Sequence, residues 1–189
     1  MAANDTKART DEYTLGSGDL YIMDYTSGSA APTAEAIIAG GARLGEVKGG
    51  ASLEYSVETK EESSDLGRTK ILIISKEDVK FKSGVMTWNG ETLAMLCQTA
   101  RATEIGGKRT IKIGGLAQAS NKAYAIAFEY KGDGKKGLTV AIVGKNAAGF
   151  TLSFNPDNAT VVDAEFVAQA MDDEGTLVVI TETIAADTE

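Results

Sequence analysis

ASLEYSVETKE, residues 51–61, alternates with a period of two: Leu53, Tyr55 and Val57 stand against Glu54, Ser56, Glu58 and Lys60. Successive side chains of an extended backbone point to opposite faces, so the run predicts a strand with one apolar and one wet face. It follows a β region opening at Leu44 and a turn at Gly49-Gly50. After it comes the polar stretch EESSDLGR, residues 61–68, which reads as a long loop before the branched run KILIISKEDVKF, residues 70–81.

Working outward, LYIMDY (20–25) has the aromatic and branched content of a strand, and TSGSAAPTAEA (26–36), with Pro32, reads as a loop. Downstream, Leu93, Leu96 and Cys97 recur at helical spacing, with Met95 and Ala100 close to the same stripe. Asn89 can cap that segment and Trp88 occupies the staple position before it, predicting a helix over about residues 90–101 that ends near Arg101. The remainder returns to strands: TEI, RTIKI, KAYAIAFEY, LTVAIVGKN, FTLSF, TVVDAEFVAQA and TLVVITE. Pro32 and Pro156 are the two prolines in the sequence, which leaves most of these runs uninterrupted. The expected fold is mainly β: an antiparallel sandwich or barrel with one flanking helix and a long inter-strand loop. With 43% hydrophobic residues in 189, one core is affordable; residues 1–12 (MAANDTKARTDE) read as a flexible arm, 13–183 as a single domain and 184–189 as a tail.

Composition also excludes function classes. Acidic residues outnumber basic ones 27 to 19, a net charge of -8, which argues against a surface built to neutralise nucleic-acid phosphates. The single cysteine, Cys97, rules out an intramolecular disulfide framework and is expected to be a small buried residue. No secretory leader is recognised at the start, so cytoplasmic synthesis is expected. Apolar runs such as Ile71–Ile74 and Leu177–Ile180 are strand-sized rather than membrane-spanning.

Candidate chemistry is thin. The sequence has no histidine, so Ser-His-Asp and Cys-His systems cannot be assembled, and the commonest zinc ligand is missing. Gly132-Asp-Gly-Lys-Lys-Gly137 matches G-x-G-x-x-G, but the run after it, LTVAIV, is another strand, so a hairpin turn is expected instead of a dinucleotide loop. Asp172, Asp173 and Glu174 could offer oxygens to a hard cation, yet their spacing is not that of an EF-hand and a solvated turn is expected. Glu58, Glu61, Glu62 and Asp65 could be searched for a glycosidase pair, but nothing in their linear spacing supports one. No nucleophile, base and orienting group can be named together, so the chain is expected to be no enzyme and to need no cofactor.

Taken in order, several segments resemble bacteriophage tail tube proteins, the major tail proteins of long-tailed phages. YTLGSGDLYI (13–22) is similar to that family's glycine-punctuated entry strand. LGEVKGGASLEYSVETKEESSDLG (44–67) resembles its strand and long loop after a Leu-Gly-x-x-x-Gly-Gly turn. WNGETLAMLC (88–97) resembles its flanking helix, and residues 150–182 its closing strands with their acidic turn. The resemblance spans Tyr13 to Glu182. It implies a fold related to the tubes of contractile tails and type VI secretion, and hexameric rings stacked into a hollow tube through which DNA passes to the host. It also implies a place in the virion tail after assembly in the host bacterial cytoplasm, with tape-measure, tail-tip and tail-completion proteins as partners beside the chain itself.

On that resemblance Glu54, Ser56 and Glu58 would face the lumen, where acidic side chains keep DNA from adhering. The loop Glu61, Glu62, Ser63, Ser64, Asp65, Leu66, Gly67, Arg68 would reach the next ring, with the N-terminal arm and the tail IAADTE contributing to ring contacts. A phage-derived injection particle, or tailocin, would use the same device without a genome. An isolated carbohydrate-binding or adhesin-like sandwich is the alternative from another class. It should show a solvent-facing aromatic platform, for which the sequence offers a single tryptophan, Trp88.

Overall fold

A computed structural model describes residues 18–63, 70–85, 90–131, 137–147, 149–150 and 161–183. Their strands are β1 (Asp19–Tyr25), β2 (Ala42–Ser63), β3 (Lys70–Val85), β4 (Arg101–Ile105), β5 (Lys108–Lys112), β6 (Ala123–Lys131), β7 (Gly137–Asn146), β8 (Val162–Ala168) and β9 (Val179–Glu182), with helices α1 (Ala34–Gly40) and α2 (Gly90–Leu96). The fold is mainly β, as expected. One antiparallel sheet runs β6-β1-β2-β3-β8-β7-β9, and β4 and β5 form a separate hairpin.

The large sheet curls on itself, because β6 pairs not only with β1 but also with β7, from Tyr124↔Gly144 to Lys131↔Gly137. The seam between β7 and β8 is short, limited to Gly144↔Ala168, Lys145↔Val167 and Asn146↔Phe166, while β9 takes the rest of that edge of β7. The sheet is therefore a curled wall and not a barrel closed along its length. Gly144 sits at the seam because a Cβ there would run into the Val167 carbonyl. Inside the curl lie Leu20, Ile22, Leu44, Phe81, Val85, Ile126, Ile142 and Phe166, contributed by alternate positions of six strands. Asn146 anchors α2 to this body: its amide donates to the Leu96 carbonyl (2.6 Å), and its Oδ1 accepts from the Glu165 N–H (3.2 Å).

The outer face of β6 and β7 has its own cover. Ala123, Ala125, Ala127 and Ala141 keep that face low, so α1 can approach and bury Ala34 and Ile37 against it. This helix stands partly where a loop was expected. Its start is written in the chain: Thr33 caps it, Oγ1 accepting from the Ala36 N–H (3.3 Å), and Glu35 lies in the first turn beside the positive end of the dipole. A helix of this length carries too few turns to declare an apolar period, which is why Pro32 dominated the expectation.

Three further expectations need correction. The second helix ends at Leu96, well before Arg101, because the chain turns at Cys97–Ala100 and enters β4 at Arg101. Cys97 thereby lies past the helix and is half-buried beside the Thr99 hydroxyl, rather than on a buried stripe. Glu61, Glu62 and Ser63 belong to β2, paired with Leu72, Ile71 and Lys70, rather than to a loop. Ser64, Asp65, Leu66, Gly67 and Arg68 lie outside the described residues, as do Trp88, Asn89, most of FTLSF, the arm 1–12 and the tail 184–189. Residues 132–136 of the hairpin turn expected at 132–137 lie outside the described residues; the strands on either side pair antiparallel, up to Lys131↔Gly137.

Candidate functional site

β2 and β3 form a hairpin much longer than the body they belong to, with pairing from Val47↔Val85 to Ser63↔Lys70. Cross-strand partners share a face, so two faces can be followed along its length. One begins in the core with Leu53 and Phe81, and continues through Tyr55, Val79, Val57, Glu77, Thr59, Ile74, Glu61 and Leu72. The other carries Ser52, Lys82, Glu54, Lys80, Ser56, Asp78, Glu58, Lys76, then Lys60, Ile73, Glu62 and Ile71. A bulge at Ser75, whose hydroxyl donates to the Glu58 carbonyl (3.0 Å), shifts the register of β3, so that Leu72 and Ile74 fall on the first face and Ile71 and Ile73 on the second.

Burial changes abruptly along this hairpin. Val79, Phe81 and Val85 are at most 2% exposed, whereas Ile71, Leu72, Ile73 and Ile74 are 50–67% exposed, Tyr55 58% and Val57 41%. The outer half is thus an arm standing off the body with apolar side chains on both faces near its end. Tyr55 is steadied on it by donating its hydroxyl to Glu77 (2.6 Å), a contact that also holds the phenol above its ordinary pKa.

Glu54, Ser56 and Glu58 are exposed and lie on one face of β2, as their spacing implies. The sequence pattern missed what β3 places among them. Lys82 reaches Glu54 (2.8 Å) and Glu165 (3.7 Å), Lys80 reaches Glu165 (3.5 Å), Lys76 reaches Asp78 (2.5 Å) and Glu58 (3.7 Å), and Lys60 reaches Glu62 (2.6 Å). The hydrogen bond from Lys82 holds the Glu54 carboxyl below its usual range, and the bond to Asp78 holds the Lys76 ammonium above its own. The face is a lattice of paired charges. Lys60–Glu62 and Lys76–Asp78 are neighbours along one strand, but the cross-strand partners such as Glu54 and Lys82 lie far apart in sequence and need the strand pairing to be seen.

The remaining candidates do not converge on chemistry. Glu58 and Glu62 share one face of the arm and Glu61 the other, where it pairs with Lys70 (2.8 Å). Asp172 closes a turn, its Oδ1 accepting from the N–H groups of Glu174 (3.1 Å) and Thr176 (2.9 Å), and bonds from the Thr176 hydroxyl and amide hold its carboxyl below the ordinary value. Among the described residues no group of His, Cys, Asp or Glu is placed to hold a metal ion, and no helix is long and apolar enough to cross a membrane.

No protein-family model matches the chain, and no curated protein matches it. Among solved structures it is similar to the anti-feeding prophage cap, described as a tube-terminating cap and determined by cryo-electron microscopy. The two share 12% identity with a TM-score of 0.48, over 95% of this chain and 99% of that one.

Proposed function

We propose that this chain is a structural subunit that polymerises with copies of itself into stacked hexameric rings, forming the hollow tube of a phage tail through which DNA reaches the host. The observation that carries this proposal is the β2–β3 arm: exposed apolar side chains on both faces of a strand pair, continuous with the core but uncovered by it. A contiguous apolar surface of this kind marks an interaction site, and a neighbouring subunit is the occupant that the tail-tube resemblance of residues 13–182 supplies.

In such a ring the arm lies across a neighbour, burying Tyr55, Val57, Leu72 and Ile74, and the segment 61–68 at its tip reaches toward the next ring. The N-terminal arm and the tail 184–189 contribute to the same contacts. The face bearing Glu54, Ser56 and Glu58 lines the lumen. Its physical suitability differs from a simple acidic repellent: Lys60, Lys76, Lys80 and Lys82 each have a carboxylate within ion-pair range, so none is presented alone to a passing phosphate. DNA meets a charge-compensated wall with few sites for counterion release. Tape-measure, tail-tip and tail-completion proteins complete the proposed set of partners.

Negative-stain electron microscopy of concentrated protein, alongside size-exclusion chromatography of a dilute sample, tests this. Rings or hollow tubes are expected. A chain that stays monomeric even with a tail-tip complex present would return it to the class of isolated binding modules.

A further inference from the structure

The hairpin β4–β5 is basic within an acidic chain, carrying Arg101, Lys108, Arg109 and Lys112 against Glu104. Its turn, Gly106-Gly107, has φ of +58° and +72°, the two left-handed residues of the tight turn that suits the twist of a two-stranded ribbon. One face rests on α2: Arg109 pairs with Glu91 (2.7 Å) and with Glu104, and Ile111 and Arg109 crowd Gly90 so closely that a Cβ there would meet both. The opposite face, set by the pairs Arg101↔Lys112, Thr103↔Thr110 and Ile105↔Lys108, is exposed throughout. It carries three cations and no carboxylate, and ends in Ile105, which is 81% exposed.

The complementary surface is on the same chain. A cleft of about 650 Å³ opens between α1 and the turn after β8; its floor includes the buried Ala141 and Met171, and its rim carries Glu35, Asp172 and Asp173. Among the described residues no lysine or arginine lines it.

We propose that the outward face of β4–β5 on one subunit docks on this acid-rimmed cleft of a second copy, with Ile105 entering over Met171 and Arg101, Lys108 and Lys112 facing Glu35 and Asp173. A copy of the chain is the favoured occupant on charge. Taking Arg101, Lys108, Arg109, Lys112 and Glu104 out of the net -8 leaves the remainder at -11, so another copy is a strongly acidic partner. The contact is head-to-tail, joining different patches of the two partners, and such a contact propagates into a ring or a stack. This inference rests on the self-assembly proposed above and names one of its contacts.

The test uses the full chain in three forms: Lys108→Glu with Lys112→Glu on the hairpin, Glu35→Lys with Asp173→Lys on the cleft, and all four together. Asp172 is left intact because it closes its own turn. Sedimentation velocity and electron microscopy should show each double reversal raising the concentration needed for assembly by about tenfold or more, since like charges then oppose. The fourfold variant, and an equimolar mixture of the two double variants, should assemble near the wild-type concentration. Circular dichroism checks folding, and Lys108→Gln with Lys112→Gln replaces the hairpin reversal if that variant unfolds.

Wild-type assembly unchanged in both double variants would overturn this contact and leave the tube proposal standing. Loss without rescue in the fourfold variant and the mixture would overturn the complementarity. Salt-sensitive retention of a duplex DNA probe by the wild type, abolished in the hairpin variant, would make the face a phosphate site and also overturn it. A wild type that never assembles would remove this contact and the proposed function together.

Discussion

The two ends of β3 are built from the same kind of residue and live in different surroundings. From Val79 to Val85 buried positions alternate with half-buried ones; from Lys70 to Glu77 every residue is exposed, although Ile71-Leu72-Ile73-Ile74 is the most apolar part of the strand. The ladder with β2 continues across both halves, and on the outer half it is joined by side-chain bonds such as Tyr55 to Glu77 and Lys70 to Glu61 instead of burial. The inner half owes its stability to burial within its own chain, whereas the outer half leaves its apolar surface uncovered, the surface proposed above for contact with a neighbour.

The sharpest way to break this contrast is to compare truncations. Phe166→Ala empties the centre of the core beside Phe81 and should cost about 3–5 kcal/mol, read as a large fall in the thermal midpoint of the dilute subunit. Leu72→Ala with Ile74→Ala should lower that midpoint little, since most of each side chain is already in water, yet should weaken self-association markedly. Equal losses of stability from both variants would erase the distinction between body and arm.

A middle-sized effect is expected where α2 meets the body. Asn146→Ala leaves the Leu96 carbonyl and the Glu165 N–H without their partner and should cost about 1–3 kcal/mol in denaturant titration, with α2 and the adjoining β4–β5 hairpin loosened first in hydrogen exchange.

The smallest effect is a pH dependence at Asp172. Its folded-state pKa is depressed by Thr176, so its contribution to stability is present above the unfolded carboxylate value of about 3.9 and is lost as pH falls through the lower folded value. The wild type should exceed Asp172→Asn in thermal midpoint near neutral pH, and the gap should close under acid conditions. A gap independent of pH would show that the turn is held by geometry instead of charge.

How far the sequence could be read follows the same division. The alternation of Leu53, Tyr55 and Val57 correctly marks a strand, because period two is a property of the backbone. It cannot say what covers the apolar face, and only Leu53 among those three is packed against the core. Glu61–Ser63 are polar, and polarity alone does not separate a loop from a strand that leaves its core and can be polar on either side. The Thr33 cap of α1 lies inside the stretch that reads as a loop, and the alanines of β6 that make room for that helix gain meaning only once the strands are side by side. The lysines of β3 among Glu54, Ser56 and Glu58 were likewise invisible, since cross-strand neighbours are distant in sequence.

The central claim is that the outer half of the β2–β3 hairpin is an assembly surface, and sedimentation velocity over a concentration series, wild type against Leu72→Asp with Ile74→Asp, tests it most directly. Growth from monomer to ring-sized or longer species in the wild type alone, with matching circular dichroism for both proteins, is the predicted result. Identical sedimentation of the two proteins at every concentration would contradict it.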